Sequence, residues 1–150
     1  MRFLVQRVKY ASVSVDGDII GKIDKGLLVF VGVRDDDTKE IADKLTDKLS
    51  KLRIFEDTEG KTNLSIGDVG GSFLVISQFT LYADMRRGNR PSFVRAGAPD
   101  MANDIYEYVL KRLGDMGFEV EHGSFGADMK VELLNDGPFT VMMDSDEIVK

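Results

Sequence analysis

The segment LLVFVGV, residues 27 to 33, is apolar from end to end. A strand with one wet face alternates apolar and polar residues, whereas an unbroken apolar run is typical of a strand covered on both faces. We therefore expect this segment to be the central strand of a sheet. Upstream of it, turn signals at Asp16–Gly17 and at residues 24–26 separate three further predicted strands, at residues 2–9, 11–16 and 18–23.

Two amphipathic helices are predicted downstream. For the first, Asp37 is the expected N-cap, Glu40 completes a capping box, and an apolar face ends near Leu52; that face carries Ile41, Leu45, Leu49 and Leu52. For the second, Pro99 occupies the first turn and Gly117 ends the helix. Its apolar face carries Met101, Ile105, Val109, Leu113 and Met116.

The rest of the chain has strand patterns. The run SFLVISQFTLYAD, residues 72–84, predicts one long strand, and three shorter segments alternate; these are FEVEH (118–122), MKVELL (129–134) and FTVMMD (139–144). With no repeat or linker, residues 1–150 predict a single domain. Its expected class is α/β, of α+β-like character, with mostly antiparallel, barrel-like sheets and two main helices in three layers.

Composition excludes several kinds of chemistry. The chain has no cysteine, so disulfides, thiolate zinc sites and cysteine nucleophiles are ruled out. His122 is the only histidine, and its neighbour Gly123 indicates a turn without a nucleophile elbow, so a Ser/His/Asp triad is poorly supported. The acidic run Asp35–Asp37 is more simply a turn and helix cap than a metal site. We expect neither a metal nor a cofactor.

The charge distribution is uneven. The net charge is −6, which is opposite to the basic footprint of a typical nucleic-acid binder. However, a loop of sequence RRGNRPSFVR concentrates four arginines, and a local cluster can still contact phosphates because distant charges are screened; the four are Arg86, Arg87, Arg90 and Arg95. No segment is apolar and long enough to span a membrane, and the first residues lack a signal-peptide core. We expect a cytoplasmic protein.

Two polar segments interrupt this apolar framework. Ser77, Gln78 and Thr80 fall within the predicted strand 72–84, where they are either a structural hydrogen-bond network or a functional group. The segment NDGPFT, residues 135–140, has the composition of an ordinary hairpin turn between two strands. From these residues alone, the prediction stops at an α/β protein with a polar patch.

Six fragments in register resemble the D-aminoacyl-tRNA deacylase family, also called D-tyrosyl-tRNA deacylase. They are MRFLVQRVKYASVSVDG with KGLLVFVGV, then SQFTL, GNRPSF, FGADM and NDGPFT. The resemblance implies an ester hydrolase that frees D-amino acids from tRNA, and a homodimer whose active sites are completed across the interface. It implies that glycyl-tRNA mischarged on tRNA(Ala) is a second substrate.

The resemblance also implies roles for individual residues. The segment Ser77, Gln78, Phe79 and Thr80 would form the pocket for the aminoacyl group. Gly137 and Pro138 would enter the partner subunit's pocket through a cis peptide and exclude L side chains, with Arg7 holding them in place. Positions that match those near the terminal adenosine are Ala102, Phe125 and Met129. Phe139 departs from the valine that is more usual after the Gly-Pro pair.

Two mechanisms remain open at this stage. In the first, the 2′-hydroxyl of the terminal ribose assists hydrolysis, and a backbone N–H of Phe79 or Thr80 stabilises the oxyanion. In the second, Thr80 is a covalent nucleophile, although no base adjoins it in sequence. The expected tRNA contacts are Arg86, Arg87 and Arg90, and neither DNA nor a membrane is an expected partner. A noncatalytic, homodimeric RNA-binding module is the alternative function.

Overall fold

The computed structural model describes residues 1–149 and contains a nearly closed, barrel-like mixed sheet with three helices. The strands are β1 (Arg2–Val15), β2 (Asp18–Ile23), β3 (Gly26–Gly32), β4 (Phe55–Glu56), β5 (Thr62–Leu64), β6 (Ser72–Ser77), β7 (Val120–His122) and β8 (Lys130–Asp144). The helices are α1 (Lys39–Ser50), α2 (Pro99–Asp115) and α3 (Ser145–Ile148), and a short 3₁₀ helix spans Phe79–Tyr82.

The main sheet has the strand order β2-β1-β3-β6-β7, and β8 pairs with the other edge of β1. Antiparallel pairings predominate, as predicted, but β3–β6 and β6–β7 are parallel. The sheet curls until β2 approaches β7: a Cβ added at Gly21 would lie 2.8 Å from the carbonyl oxygen of His122. Glycine at this position therefore allows the close approach that nearly closes the barrel.

The central position predicted for residues 27–33 is confirmed. β3 lies between β1 and β6, and its side chains alternate between two cores. Leu27, Val29 and Val31 face the larger core beneath α1 and α2, whereas Leu28 belongs to a smaller core inside the barrel. An unbroken apolar strand thus serves two apolar compartments, which is why it carries no polar face.

Both main helices form close to their predicted limits, but the cap of α1 differs. Thr38, rather than Asp37, is the N-cap, and its side chain accepts a hydrogen bond from the amide of Ile41 at 3.3 Å. Asp37 is buried and accepts a 2.7 Å hydrogen bond from the α-amino group of Met1. The Asp37 carboxylate, which the sequence predicted as the cap of α1, therefore binds the α-amino group of Met1, which is distant in sequence. α2 begins at Pro99, as predicted.

Three strand predictions are wrong in their limits. Residues 2–9 and 11–15 belong to the single strand β1, and Asp16 lies in the turn that follows it. The strand predicted over 72–84 ends at Ser77, after which the chain turns into the 3₁₀ helix. Residues 130–134 and 139–144 lie on one strand, β8, so NDGPFT is not a hairpin turn. No helix within residues 1–149 combines the length and hydropathy required to cross a bilayer.

Candidate active site

A cavity of about 650 Å³ opens where β3 and β6 end. α2 forms another wall, through Ala102 and Tyr106, and residues 125–131 close the far side. Of the residues predicted from sequence, the following line this one cavity: Ser77, Gln78, Phe79, Ala102, Phe125 and Met129. The structure therefore brings together predicted residues that are separated by up to about a third of the chain.

The floor of the cavity is the point where β6 becomes the 3₁₀ helix. The amide of Gln78 still donates a hydrogen bond to the carbonyl oxygen of Val31, at 2.8 Å, as the pairing of β6 with β3 ends. Phe79 and Thr80 then begin the 3₁₀ helix, so their N–H groups have no acceptor within that helix. The polar residues are consequently at a strand end and not in the middle of a strand.

Within residues 1–149, the side chain of Thr80 has one hydrogen-bond partner. Gln78 Nε2 donates a hydrogen bond to Thr80 Oγ1 at 2.5 Å, and both groups are accessible to solvent. An amide is neither a general base nor an acid at neutral pH, whichever of its two ends faces the hydroxyl. Thr80 is exposed and is not among the residues that line the cavity.

Arg2 and Tyr82 anchor the 3₁₀ helix from below, a role that the sequence did not reveal. Arg2 Nη1 donates to the carbonyl oxygen of Leu81 at 2.8 Å, and its guanidinium lies 4.6 Å from the centroid of the Tyr82 ring. Asp144 accepts a 2.9 Å hydrogen bond from Arg2 Nε. Tyr82 is fully buried, and burial raises the pKa of its hydroxyl. The turn therefore has a rigid support.

Tyr106 forms the apolar wall beside Phe125, with ring centroids 6.0 Å apart. Its hydroxyl donates to the carbonyl oxygen of Val75 at 2.7 Å, and burial raises its pKa, so it remains protonated at neutral pH. The sequence predicted no role for Tyr106, because its position on the apolar face of a helix cannot be distinguished from that of an ordinary core residue.

The arginine loop, RRGNRPSFVR, borders the same cavity, because Phe93 belongs to this loop and also lines the cavity. Asp84 and Ser92 close the loop through two backbone hydrogen bonds, of 2.7 and 2.9 Å. Arg86 is engaged within it: its guanidinium donates to both carboxylate oxygens of Asp84, which lowers the pKa of Asp84 to about 2. Arg87 is exposed, as is Arg90, and neither forms an ion pair with any residue in 1–149.

Gly137 and Pro138 lie apart from this cavity. The pairing of β8 with β1 runs from Asp144 to Thr140 and resumes at Asn135, so residues 136–139 form a bulge opposite Arg7. Both Gly137 and Pro138 are exposed, their peptide bond is cis, and neither lines the cavity of its own chain. Residues of the NDGPFT segment, whose composition suits a turn, thus form a bulge within β8.

Arg7 holds the bulge and is 6% exposed. Its Nε donates to the carbonyl oxygen of Asp136 at 2.9 Å, and its Nη1 to that of Ile54 at 2.7 Å. The Phe139 ring lies 4.9 Å from the guanidinium carbon. On the outer side, Asn135 Oδ1 accepts a 2.7 Å hydrogen bond from the amide of Phe139. Residues 136–139 are therefore fixed at both ends.

The single histidine lies outside the cavity. His122 Nδ1 is 2.7 Å from the carbonyl oxygen of Gly123, and the residue lines a second cavity of about 490 Å³. The acidic run has structural partners: Asp35 accepts from the amide of Ala98, and Asp36 from Arg34. Within residues 1–149, no cluster of three or more His, Asp or Glu side chains is arranged to hold a metal.

The chain belongs to the family described as D-Tyr-tRNA(Tyr) deacylase, whose model matches residues 4–144. Curated relatives extend over nearly the whole chain. The D-aminoacyl-tRNA deacylase of Lactobacillus acidophilus is 53% identical over 96% of this chain and 99% of its own length. That of Thermotoga petrophila is 53% identical over 99% of both.

Solved structures agree with this fold. The structure titled "c-Myc DNA Unwinding Element Binding Protein" superposes with a TM-score of 0.91, at 36% identity, over 96% of this chain and 98% of that one. A "probable eukaryotic D-amino acid tRNA deacylase" superposes with a TM-score of 0.77 over 95% and 97% of the two chains. Its 18% identity supports the fold alone.

Proposed function

We propose that this chain hydrolyses the ester bond of D-aminoacyl-tRNA, releasing the free D-amino acid and tRNA, and so proofreads chirality in translation. Membership of the deacylase family supports the enzyme class. The observation that carries the mechanism is the cavity whose floor is a 3₁₀ turn and whose lining includes no histidine. Such a site suits a reaction in which the protein positions groups that the substrate already has.

The terminal adenosine and its ester occupy the 650 Å³ cavity in this proposal. Ala102, Phe125 and Met129 provide apolar walls for the adenosine, and Ser77 and Gln78 border the aminoacyl end. The N–H groups of Phe79 and Thr80 have no acceptor in the 3₁₀ helix, so they are available to a developing oxyanion. Arg2 and Tyr82 keep those donors in place before the substrate binds.

The neighbouring 2′-hydroxyl of the ribose assists the hydrolysis. Groups held beside a reacting carbonyl reach effective molarities of about 10⁵ M or more, which removes the need for a side-chain base. The nucleophile mechanism requires a base at Thr80, and the only side chain bonded to its hydroxyl within residues 1–149 is the amide of Gln78. The geometry therefore favours substrate assistance over a covalent intermediate.

The chirality filter comes from a second copy of the chain. Gly137 and Pro138 project from β8, are exposed, and lie outside the cavity of their own chain. We place them in the cavity of the partner subunit of a homodimer, where rigid carbonyls exclude an L side chain by clash and desolvation. Glycine has no side chain to exclude. Glycyl-tRNA mischarged on tRNA(Ala) is consequently a second substrate in this proposal.

The arginine loop contacts the tRNA backbone. Arg87 and Arg90 provide the principal contacts, whereas Arg86 contributes less because Asp84 already binds its guanidinium. Reversing Arg87 and Arg90 to glutamate should weaken tRNA binding and lower its salt dependence by about one unit of slope per lost phosphate contact. Lys61→Glu, on an exposed and remote turn, is the matched control. Equal binding by all variants would place the RNA surface elsewhere.

The proposal assigns the protein to the cytoplasm, where aminoacyl-tRNA is used, and involves no cofactor, DNA or membrane. It is tested by incubating the protein with D-tyrosyl-tRNA, L-tyrosyl-tRNA and glycyl-tRNA. Release of D-tyrosine and glycine, with L-tyrosyl-tRNA intact, is the expected result. Binding of all three without any release would instead identify a noncatalytic RNA-binding module.

A further inference from the structure

Two aromatic rings are exposed at the edge of the cavity. Phe79 is 57% exposed and Phe93 is 38% exposed, and their centroids are 5.0 Å apart with an interplanar angle of 74°. Both residues line the cavity, so the pair lies where the cavity opens to solvent. The loop beside them also exposes Met85 by 70% and Val94 by 80%. Exposed apolar side chains grouped at the opening of a cavity are typical of a binding surface.

The charges near this patch determine what kind of partner fits it. The arginine loop, which includes Phe93, also carries Arg87 and Arg90. Both are exposed, and neither forms an ion pair within residues 1–149. Arg86 forms an ion pair with Asp84, which compensates its charge. Exposed aromatic faces next to unpaired arginines are the combination with which proteins bind single-stranded nucleic acid: bases stack on the rings and phosphates meet the cations.

We infer that Phe79 and Phe93 form a stacking platform for the unpaired nucleotides of the tRNA 3′ end that immediately precede the terminal adenosine. This inference rests on the proposed function, which places the adenosine deeper, among Ala102, Phe125 and Met129. A chain whose last nucleotide lies there must leave through the open edge, past the two rings. Arg87 and Arg90 then meet the phosphates that follow.

Stacking also matches the breadth of substrates that a proofreading enzyme meets. Every base has a π-face, so an aromatic platform binds any unpaired sequence and makes no demand on the identity of the tRNA. Each base stacked on an aromatic ring contributes about 5- to 100-fold in affinity, as judged by replacement of the ring. Removal of the ring should therefore weaken binding of the polynucleotide and weaken binding of the adenosine by much less.

The absence of tryptophan from the sequence provides a direct optical test. Phe93→Trp introduces the only indole, whose fluorescence is quenched when a base stacks on it. Titration with the ribotrinucleotide CCA should quench this fluorescence strongly, whereas adenosine alone should not. Tyr10→Trp is the matched control, because Tyr10 is 39% exposed on β1 and does not line the cavity. Equal quenching by CCA and adenosine, or none by either, would overturn the inference.

A kinetic test separates this inference from the proposed function. Phe93→Leu keeps an apolar side chain but removes the aromatic face, and Phe93→Trp restores one. The leucine variant should raise KM for D-tyrosyl-tRNA about 10-fold and lower kcat/KM for 3′-O-D-tyrosyl-adenosine by much less. An equal loss on both substrates would show that Phe93 only lines the cavity, and it would overturn the stacking inference. If the unaltered protein hydrolyses neither substrate, it is the proposed function that fails.

Discussion

The end of β6 and the bulge in β8 differ in shape although both are built from backbone. At the end of β6, the chain turns into the 3₁₀ helix, and Ser77, Gln78 and Phe79 line a cavity. In β8, the chain bulges outward, and Gly137 and Pro138 are exposed at its crest. One region is concave and the other is convex.

The supports of the two regions also differ. Arg2 and the buried Tyr82 hold the concave region from the core side. Arg7 holds the convex one through two backbone carbonyls. An arginine thus holds each region. In the proposed dimer, the first region performs the hydrolysis and the second selects the substrate, so changes in the two should separate rate from selectivity.

The largest expected effect concerns the concave region and leaves the protein unaltered. Replacing the terminal adenosine of D-tyrosyl-tRNA by its 2′-deoxy form should slow hydrolysis on the order of 10³-fold or more, because the assisting hydroxyl is removed. Single-turnover rates measure the effect, and binding of the deoxy substrate is the control. Unchanged turnover would refute substrate assistance.

Arg7→Ala should have the next largest effect, and on the convex region. It leaves the carbonyl oxygens of Asp136 and Ile54 without their donor, which should lower the free energy of unfolding by about 3 kcal/mol. Discrimination between D- and L-tyrosyl-tRNA should fall about 10-fold or more, since the bulge is no longer held. Arg7→Lys keeps the charge but not the two-pronged geometry, and should be intermediate.

Thr80→Ala tests the concave region with a smaller expected change. Loss of the hydrogen bond from Gln78 should reduce kcat by less than about 10-fold, with folding intact. Thr80→Ser retains the hydroxyl and serves as the control. A loss of about 10⁴-fold in the alanine variant alone, at normal substrate affinity, would restore Thr80 as the nucleophile.

Phe139→Val replaces the aromatic ring beside Arg7 with a smaller aliphatic side chain. It removes the ring 4.9 Å from the Arg7 guanidinium, so the free energy of unfolding should fall by about 1 kcal/mol. Discrimination should change by less than about fivefold, because Arg7 keeps both carbonyl contacts. Phe139→Leu, which keeps more of the volume, separates packing from the cation–π contact. A much larger loss of selectivity would show that the ring itself shapes the filter.

The smallest effect concerns pH at the arginine loop. Arg86 lowers the pKa of Asp84 from 3.8 to about 2, so the ion pair supports the loop above pH 3.8 and is lost as the pH falls through about 2. Hydrogen exchange at the Arg86 amide, which donates to Asp84, should therefore be constant from neutral pH to about pH 4 once corrected for intrinsic rates. Asp84→Ala, which removes the acceptor, should lose this protection at every pH.

The sequence predicts best what depends on local pattern. The apolar run at residues 27–33 specified a central strand because both of its faces meet apolar side chains. The start of α2 followed from Pro99. The cavity residues of the SQFT and FGADM segments were identified through family resemblance, and the structure brings them together. Periodicity alone contains no information about which strand ends will meet.

The wrong predictions share one physical cause, which is a partner distant in sequence. Asp37 binds the amino group of Met1, so Thr38 caps α1 instead. Leu81 and Tyr82 continue the apolar pattern of β6, yet they belong to a 3₁₀ helix held by Arg2. The residues of NDGPFT suit a turn and a bulge equally well, and pairing with β1 on both sides selects the bulge.

One heterodimer tests most directly whether the two regions act on each other across subunits. One subunit carries Ala102→Phe, which fills its cavity, and the other carries Arg7→Ala, which releases its bulge. The only open cavity then faces an intact bulge of the partner. With D- and L-tyrosyl-tRNA as substrates, the account predicts the D-selectivity of the unaltered protein. Hydrolysis of L-tyrosyl-tRNA at the rate per open cavity of the Arg7→Ala homodimer would contradict it.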